Sequence, residues 1–297
     1  MTSHQQGFLL ATLAAFGFSL KAIFVKLAYE AGDIDAITLL ALRMAFSLPL
    51  FLVVGMSALR HGPTLTAKDW LLVSAVGLAG YYGASILDFM GLQYISAGLE
   101  RLILFTYPAM TVLLAVIFLG KQLHRRLVLS LVLCSAGVMI ASAGDLQFSD
   151  STGDVWLGVG LVFGSALSYA CYNAFSEVAV KKLGSRKVSL LAMLVSIAAV
   201  QLHFVLSSPL SGLAQPMSVY GYAMAMALFA TVIPVFLQAS AIRHIGAADT
   251  ALVGTLGPVI TIALGWVIVS EPLSVAQIGG TALVIAGVLA IKRNTTG

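Results

Sequence analysis

Residues 94–140 read YISAGLERLILFTYPAMTVLLAVIFLGKQLHRRLVLSLVLCSAGVMI, and residues 244–290 read HIGAADTALVGTLGPVITIALGWVIVSEPLSVAQIGGTALVIAGVLA. The two stretches align without a gap at an offset of 150 residues, from Tyr94 on His244 to Ile140 on Ala290. Ile95 falls on Ile245, Ala97 on Ala247, Leu102 on Leu252, Pro108 on Pro258, Thr111 on Thr261 and Leu123 on Leu273. Ala136-Gly137-Val138 falls on Ala286-Gly287-Val288. Apolar segments match one another by chance, so identity alone carries little weight. The gapless run and the paired Pro and Ala-Gly-Val positions carry more. They indicate an internal repeat, the kind of symmetry expected of transporters.

Composition sets the environment of that repeat. The 297 residues are 60% hydrophobic and 9% charged, with a mean hydropathy of +1.00. A soluble domain carries roughly 25% charge, and so few charges cannot cover a water-facing surface. The apolar blocks are continuous and near the ~20 residues a helix needs to cross a bilayer, unlike the alternating strands of a membrane barrel. The predicted spans are 8–29, 37–55, 70–89, 98–119, 127–143, 155–178, 188–206, 219–242, 247–269 and 275–291. The expected fold is therefore an all-α integral membrane protein of ten helices in two five-helix repeats, residues 1–143 and 155–297. Residues 144–154, with Asp145, Asp150 and Asp154, are the expected linker. The first block contains Lys21 and Lys26 and lacks a clear small-residue cleavage site, so it is read as a retained helix and not a signal peptide. Cys134 and Cys171 both fall inside predicted spans, which argues against a disulfide framework.

Charge gives the bundle a direction. With the N-terminus in the cytoplasm, the inner loops and the tail hold Arg60, Lys68, Lys121, Arg125, Arg126, Lys181, Lys182, Arg186, Lys187, Arg243, Lys292 and Arg293, twelve of the 16 basic residues. The linker, free of Lys and Arg, falls outside. This is the positive-inside pattern, and it accounts for the net charge of +4 better than nucleic-acid binding does. Five spans per half is an odd number, so the fourth and ninth helices run in opposite directions. The repeat must be inverted. Inverted halves supply two related conformations, one open to each side, with a site near the midplane.

Charges inside spans are costly, roughly 2.5–3.5 kcal/mol each at a helix centre, so each needs a reason. Lys21 is a candidate cavity residue for a substrate carboxylate; snorkelling is the alternative. Arg43 is expected to pair with Asp88 or Glu100, with a substrate clamp as the other reading. Glu100-Arg101 opens the fourth helix and is either an outer gate or a solvated helix start. His203 can titrate near neutral pH, so coupling stands beside a structural hydrogen bond. Asp249 is read as the cap of the ninth helix. Phe16, Tyr82, Tyr169, Tyr172, Asn173 and Gln238 are the midspan aromatic and polar candidates for the substrate site, since such groups usually face the bundle interior. Pro108 and Pro258 are candidate flex points.

The run Ile245-Gly246-Ala247-Ala248-Asp249-Thr250-Ala251-Leu252, then Pro258, then Val269-Ser270-Glu271-Pro272-Leu273, then Gly279-Gly280 through Ala286-Gly287-Val288 resembles the EamA branch of the drug/metabolite transporter superfamily. Arg43 sits where that family often has an arginine. Lys121 stands where the first repeat often has the glutamate that Glu271 supplies in the second, a departure that argues against a symmetric role for Glu271. Within the branch the sequence is similar to the YddG-type amino-acid exporters. The resemblance implies a secondary transporter that exports small metabolites, aromatic or hydrophobic amino acids above all. A broad drug or nucleotide-sugar carrier is the alternative within the superfamily. An intramembrane enzyme or a structural subunit is the alternative outside it, and scattered ionisable residues and inverted halves argue against both. There is no His-x-x-x-His helix, phosphate loop or Walker lysine, so no metal, no cofactor and no nucleotide-driven step is expected. The expected partners are a small-molecule substrate and the lipid bilayer, with no nucleic acid; a monomer is the expected state.

Overall fold

A computed structural model describes residues 3–59, 65–119, 125–147, 151–183 and 185–292. Lys121, Arg60, Arg293 and linker residues 148–150 lie outside the described residues, as does the side chain of Asp249. The described residues form helices α1 (Ser3–Ala31), α2 (Ala36–Leu59), α3 (Ala67–Gly77), α4 (Ala84–Gly91), α5 (Ala97–Leu104), α6 (Tyr107–Leu119), α7 (Arg125–Gln147), α8 (Thr152–Leu183), α9 (Ser185–Ser207), α10 (Met217–Ala227), α11 (Ile233–Gly254), α12 (Gly257–Ile268) and α13 (Val275–Lys292). Wider π-helical segments, Leu78–Gly83 and Leu228–Val232, join α3 to α4 and α10 to α11. Among the described residues, eight helical stretches are long and apolar enough to cross a membrane. Gly257–Ile268 and Val275–Ala290 are apolar but shorter.

The repeat is visible in the packing. Gly137 lies against Gly280, Gly287 against Ser130 and Cys134, and Gly144 against Ser274. As residue number rises along α7 it falls along α13, so these last helices of the two halves run antiparallel. The halves are inverted. The contact is also made twice. A Cβ on Gly137 would stand 2.6 Å from the Gly280 oxygen, and one on Gly287 would stand 3.0 Å from the Ser130 oxygen. Residues 130 and 280, and 137 and 287, are repeat mates, and such reciprocity is the mark of a two-fold relation. Only small residues allow backbones this close.

The irregular elements obey the same offset. The π segments begin at Leu78 and Leu228. The fourth predicted helix breaks at Phe105–Thr106 between α5 and α6, and the ninth breaks at Thr255–Leu256 between α11 and α12. Pro108 and Pro258 stand in the first turn of α6 and α12, where a missing N–H costs nothing. The prolines therefore start half-helices instead of kinking whole ones.

Two boundaries differ from the expectation. α7 continues to Gln147, so Asp145 belongs to a helix and not to the linker. Its carboxylate accepts from the Ser96 N–H at 2.7 Å, which holds it in the bundle. α11 runs through residues 246–249, so Asp249 does not begin a helix. Gly246-Ala247-Ala248 contains no residue that forces a helix stop.

Candidate functional site

A cavity of about 520 Å³ lies between the halves, within the size range of small-molecule sites. α1 contributes Ala11, Ala14, Ala15, Phe18 and Lys21. These positions fall on one helical face. Both π segments reach the cavity, through Gly80 and Tyr81 in one half and Ala230 and Thr231 in the other. A wider, open depression of about 730 Å³ lies elsewhere, around Lys26, Glu30, Asp33 and Gln93. It marks the face on which α7 ends and α8 begins, the linker face.

One end of the cavity is charged. Lys21 Nζ lies 2.6 Å from Asp88 Oδ2 and 2.8 Å from Glu100 Oε1. Both carboxylates are buried. Asp88 sits near the end of α4 and Glu100 in the first turn of α5, so α1 ties together the two sides of the 92–96 turn. Removing Lys21 would leave both carboxylates buried without their cation. Arg43, on α2, donates to Ser85 Oγ at 3.1 Å and its Cζ stands 4.9 Å from the Phe89 ring centroid. That geometry is a cation–π contact. Arg101 lies against the start of α12, where a Cβ on Gly257 would stand 3.1 Å from its Nη2. The Nε atoms of Arg43 and Arg101 are buried and make no hydrogen bond among the described residues.

One wall is aromatic. Tyr107 meets Tyr169 edge-on with centroids 4.9 Å apart, Tyr169 stacks on Tyr172 at 5.5 Å, and Tyr172 meets Tyr81 at 5.2 Å. The Tyr81 and Tyr172 hydroxyls are 3.0 Å apart. Tyr172 reaches this position because Gly80 has no Cβ; one there would overlap the Tyr172 ring.

Toward the linker face, side chains close the start of α5. Glu271 accepts from the Ala97 N–H through Oε1 at 2.8 Å and Oε2 at 3.1 Å. Asp145 accepts from the Ser96 hydroxyl at 2.9 Å, and Gln277 donates to Asp145 at 2.9 Å. Ser96 itself caps α5 by accepting from the Leu99 N–H at 3.1 Å. Carboxylates suit a helix N-terminus. Glu271 reaches Ala97 because Ser270 adopts φ 56° after the end of α12 and turns the chain back. Burial pushes the Glu271 carboxyl above the ordinary carboxylate range, against the opposing pull of Lys26, whose Nζ is 4.0 Å away.

The expected site residues divide into groups. Lys21, Arg43, Asp88, Arg101, Tyr169, Tyr172 and Gln238 line the cavity. Glu100 stands just behind it on Lys21. Lys21, not Arg43, makes the ion pairs with Asp88 and Glu100. Phe16 is exposed and away from the lining; Phe18 takes the cavity position. Tyr82 bonds His203 Nδ1 at 2.9 Å away from the cavity, while its neighbour Tyr81 faces in. Asn173 donates to the Tyr169 carbonyl at 2.8 Å and is absent from the lining. Sequence reading left out Tyr107, Phe105, Ser85 and Ser165 as lining residues and the Ser96–Asp145–Gln277 group. Tyr107 carried a signal, since it immediately precedes Pro108.

The sequence profile of the EamA-like transporter family matches residues 5–143 and again residues 156–293. The chain belongs to the EamA-like transporter family. It is similar to the uncharacterized transporter YcbK of Bacillus subtilis strain 168, 28% identical over 284 residues covering 91% of this chain and 88% of that protein. It is likewise similar to the uncharacterized transporter YyaM of the same organism, 27% identical over 93% of this chain and 91% of that one. An uncharacterized transporter of Archaeoglobus fulgidus is 22% identical over 91% of this chain and 93% of its own. A solved crystal structure matches with a TM-score of 0.65 over 96% of this chain and 97% of its own at 19% identity, a likeness of fold. The EamA-like chain described here is thus a multi-pass membrane transporter.

Proposed function

We propose that this transporter is a secondary exporter of amino acids with aromatic or large apolar side chains, working by alternating access through the cavity between its inverted halves. The supporting observation is the cavity itself. Four tyrosines line one wall and five ionisable groups gather around Lys21, an arrangement that suits a substrate with an apolar body and a charged head. A broad drug carrier would need no such concentration of paired charges. In this reading Gly257–Ile268 and Val275–Ala290 cross as the shorter two of ten spans; an even number keeps both termini on one side, and the basic loops support the cytoplasmic side. Helices broken beside a central site are a recurring device of such carriers, because unwound backbone is tolerated only where it is buried or lines a cavity.

The test is flux in proteoliposomes across a panel of amino acids, sugars and cationic drugs, with and without a pH gradient. The proposal expects saturable flux of phenylalanine, tyrosine or leucine. Saturable flux confined to cationic drugs or nucleotide sugars would reject the amino-acid reading. Flux unaffected by collapse of the pH gradient would remove proton coupling.

A further inference from the structure

We infer that the carboxylate of the transported molecule is bound by Arg101 together with Arg43, and that Lys21 is a positioning residue for Asp88 and Glu100. This rests on the amino-acid reading above. Lys21 is already engaged, with Nζ 2.6 Å and 2.8 Å from two carboxylate oxygens. A substrate anion would have to compete with both. The two arginines are placed differently. Both line the cavity. Neither forms an ion pair among the described residues, and each has a buried Nε without a hydrogen-bond partner. Three cations face two carboxylates in this group, so it holds one positive charge in excess. A planar guanidinium offers the paired donors that a carboxylate accepts.

The backbone adds to this. Arg101 lies against Gly257, the first residue of α12. Tyr107, the first residue of α6, also lines the cavity. Two half-helices therefore begin beside the same space, and their positive ends favour an anion there. The acidic members of the group have a complementary part. Asp88 lines the cavity with its Oδ1 accepting no hydrogen bond. Asp88 is the acidic side chain among the lining residues, the one a substrate ammonium would approach, with Lys21 holding its Oδ2. Ser85 and Phe89 fix the Arg43 guanidinium from behind.

The test compares three ligands that share one side chain: L-phenylalanine, phenethylamine without the carboxylate, and 3-phenylpropionate without the ammonium. Leucine and its two counterparts form a second set. Binding is measured on the purified full chain in lipid. For the wild type, the amino acid should bind at least about tenfold more tightly than its amine, the scale of a lost charge-assisted hydrogen bond. Arg101→Gln should bring the amino acid to within about threefold of the amine and leave the affinity for the amine unchanged. Equal wild-type affinities for amino acid and amine would overturn the inference, and that arm needs no variant to fold. An Arg101→Gln protein that melts cooperatively and keeps the wild-type ratio would overturn it as well. Arg101→Lys, which keeps the charge but loses the fork, should recover part of the ratio. Failure of every ligand in both sets to bind the wild type would instead reject the amino-acid reading and the inference with it.

Discussion

Lys21 is the residue on which the buried charges depend. Its Nζ spans Asp88 and Glu100, whose side chains are 3% and 0% exposed. Lys21→Met leaves two carboxylates together in a medium that stabilises neither, and it should cost about 3–5 kcal/mol, the usual penalty for orphaning one side of a buried pair. The check is thermal unfolding in detergent. The melting temperature should fall, and transport of every substrate should fall with it whatever the substrate's charge. An unchanged melt would show that the carboxylates do not need the lysine. A lysine in mid-span was legible as a problem from sequence, because a charge there demands a partner. Which partner was not legible. Asp88 and Glu100 lie on different helices, and only the turn between α4 and α5 brings them to one ammonium. The sequence reading gave those carboxylates to Arg43, which instead stacks on Phe89 and bonds Ser85. Tyr81 and Tyr82 show a second limit. They lie inside a π segment, so counting at 3.6 residues per turn misplaces their faces.

At the scale of elements, the π segments and the broken helices shape the cavity. Gly80 admits Tyr172 against the widened turn. Gly80→Ala should push Tyr172 into the cavity, cost about 1–3 kcal/mol of overpacking, and slow transport of bulky side chains more than of small ones. Adding Tyr172→Ala should recover part of the lost stability, which a double-mutant cycle on unfolding would reveal as coupling. Additive losses would reject the contact. On the linker face, Glu271→Ala removes the acceptor of the Ala97 N–H and should cost about 1 kcal/mol, as loss of a helix cap does. Glu271→Gln keeps an acceptor and removes the titration. Burial raises the Glu271 carboxyl in the folded protein, so its contribution is fully present below the unfolded value and is lost as pH rises through the raised one. The wild type should therefore lose melting temperature relative to Glu271→Gln as pH climbs above the ordinary carboxylate range. Parallel curves would contradict this. The prolines marked both helix breaks in the sequence, but whether they kinked or started a helix depended on the turn before them. Asp145 read as linker because a charge, a glycine and a polar run stood together; Ser96 and Gln277, distant in sequence, hold it half-buried at the start of α5.

For the whole molecule, composition and the offset of 150 residues were enough to anticipate helices, halves and their inversion. Those features rest on chain-wide averages and on parity, which survive errors of a few residues at any boundary. The cavity does not survive such errors, since a shift of one residue on a helix turns a side chain by about 100°. Phe16 and Phe18 show this: two positions apart, one is exposed and the other faces the cavity. The central claim is that inverted halves carry a small solute by exposing one site to each side in turn. Counterflow in proteoliposomes tests it most directly. Vesicles loaded with unlabelled amino acid are diluted into a trace of the labelled one, and uptake is followed over time. A carrier that alternates predicts a transient overshoot of label, saturable on both sides and absent from protein-free vesicles. Uptake that rises monotonically to equilibrium, without overshoot for any substrate the protein moves, would contradict alternating access.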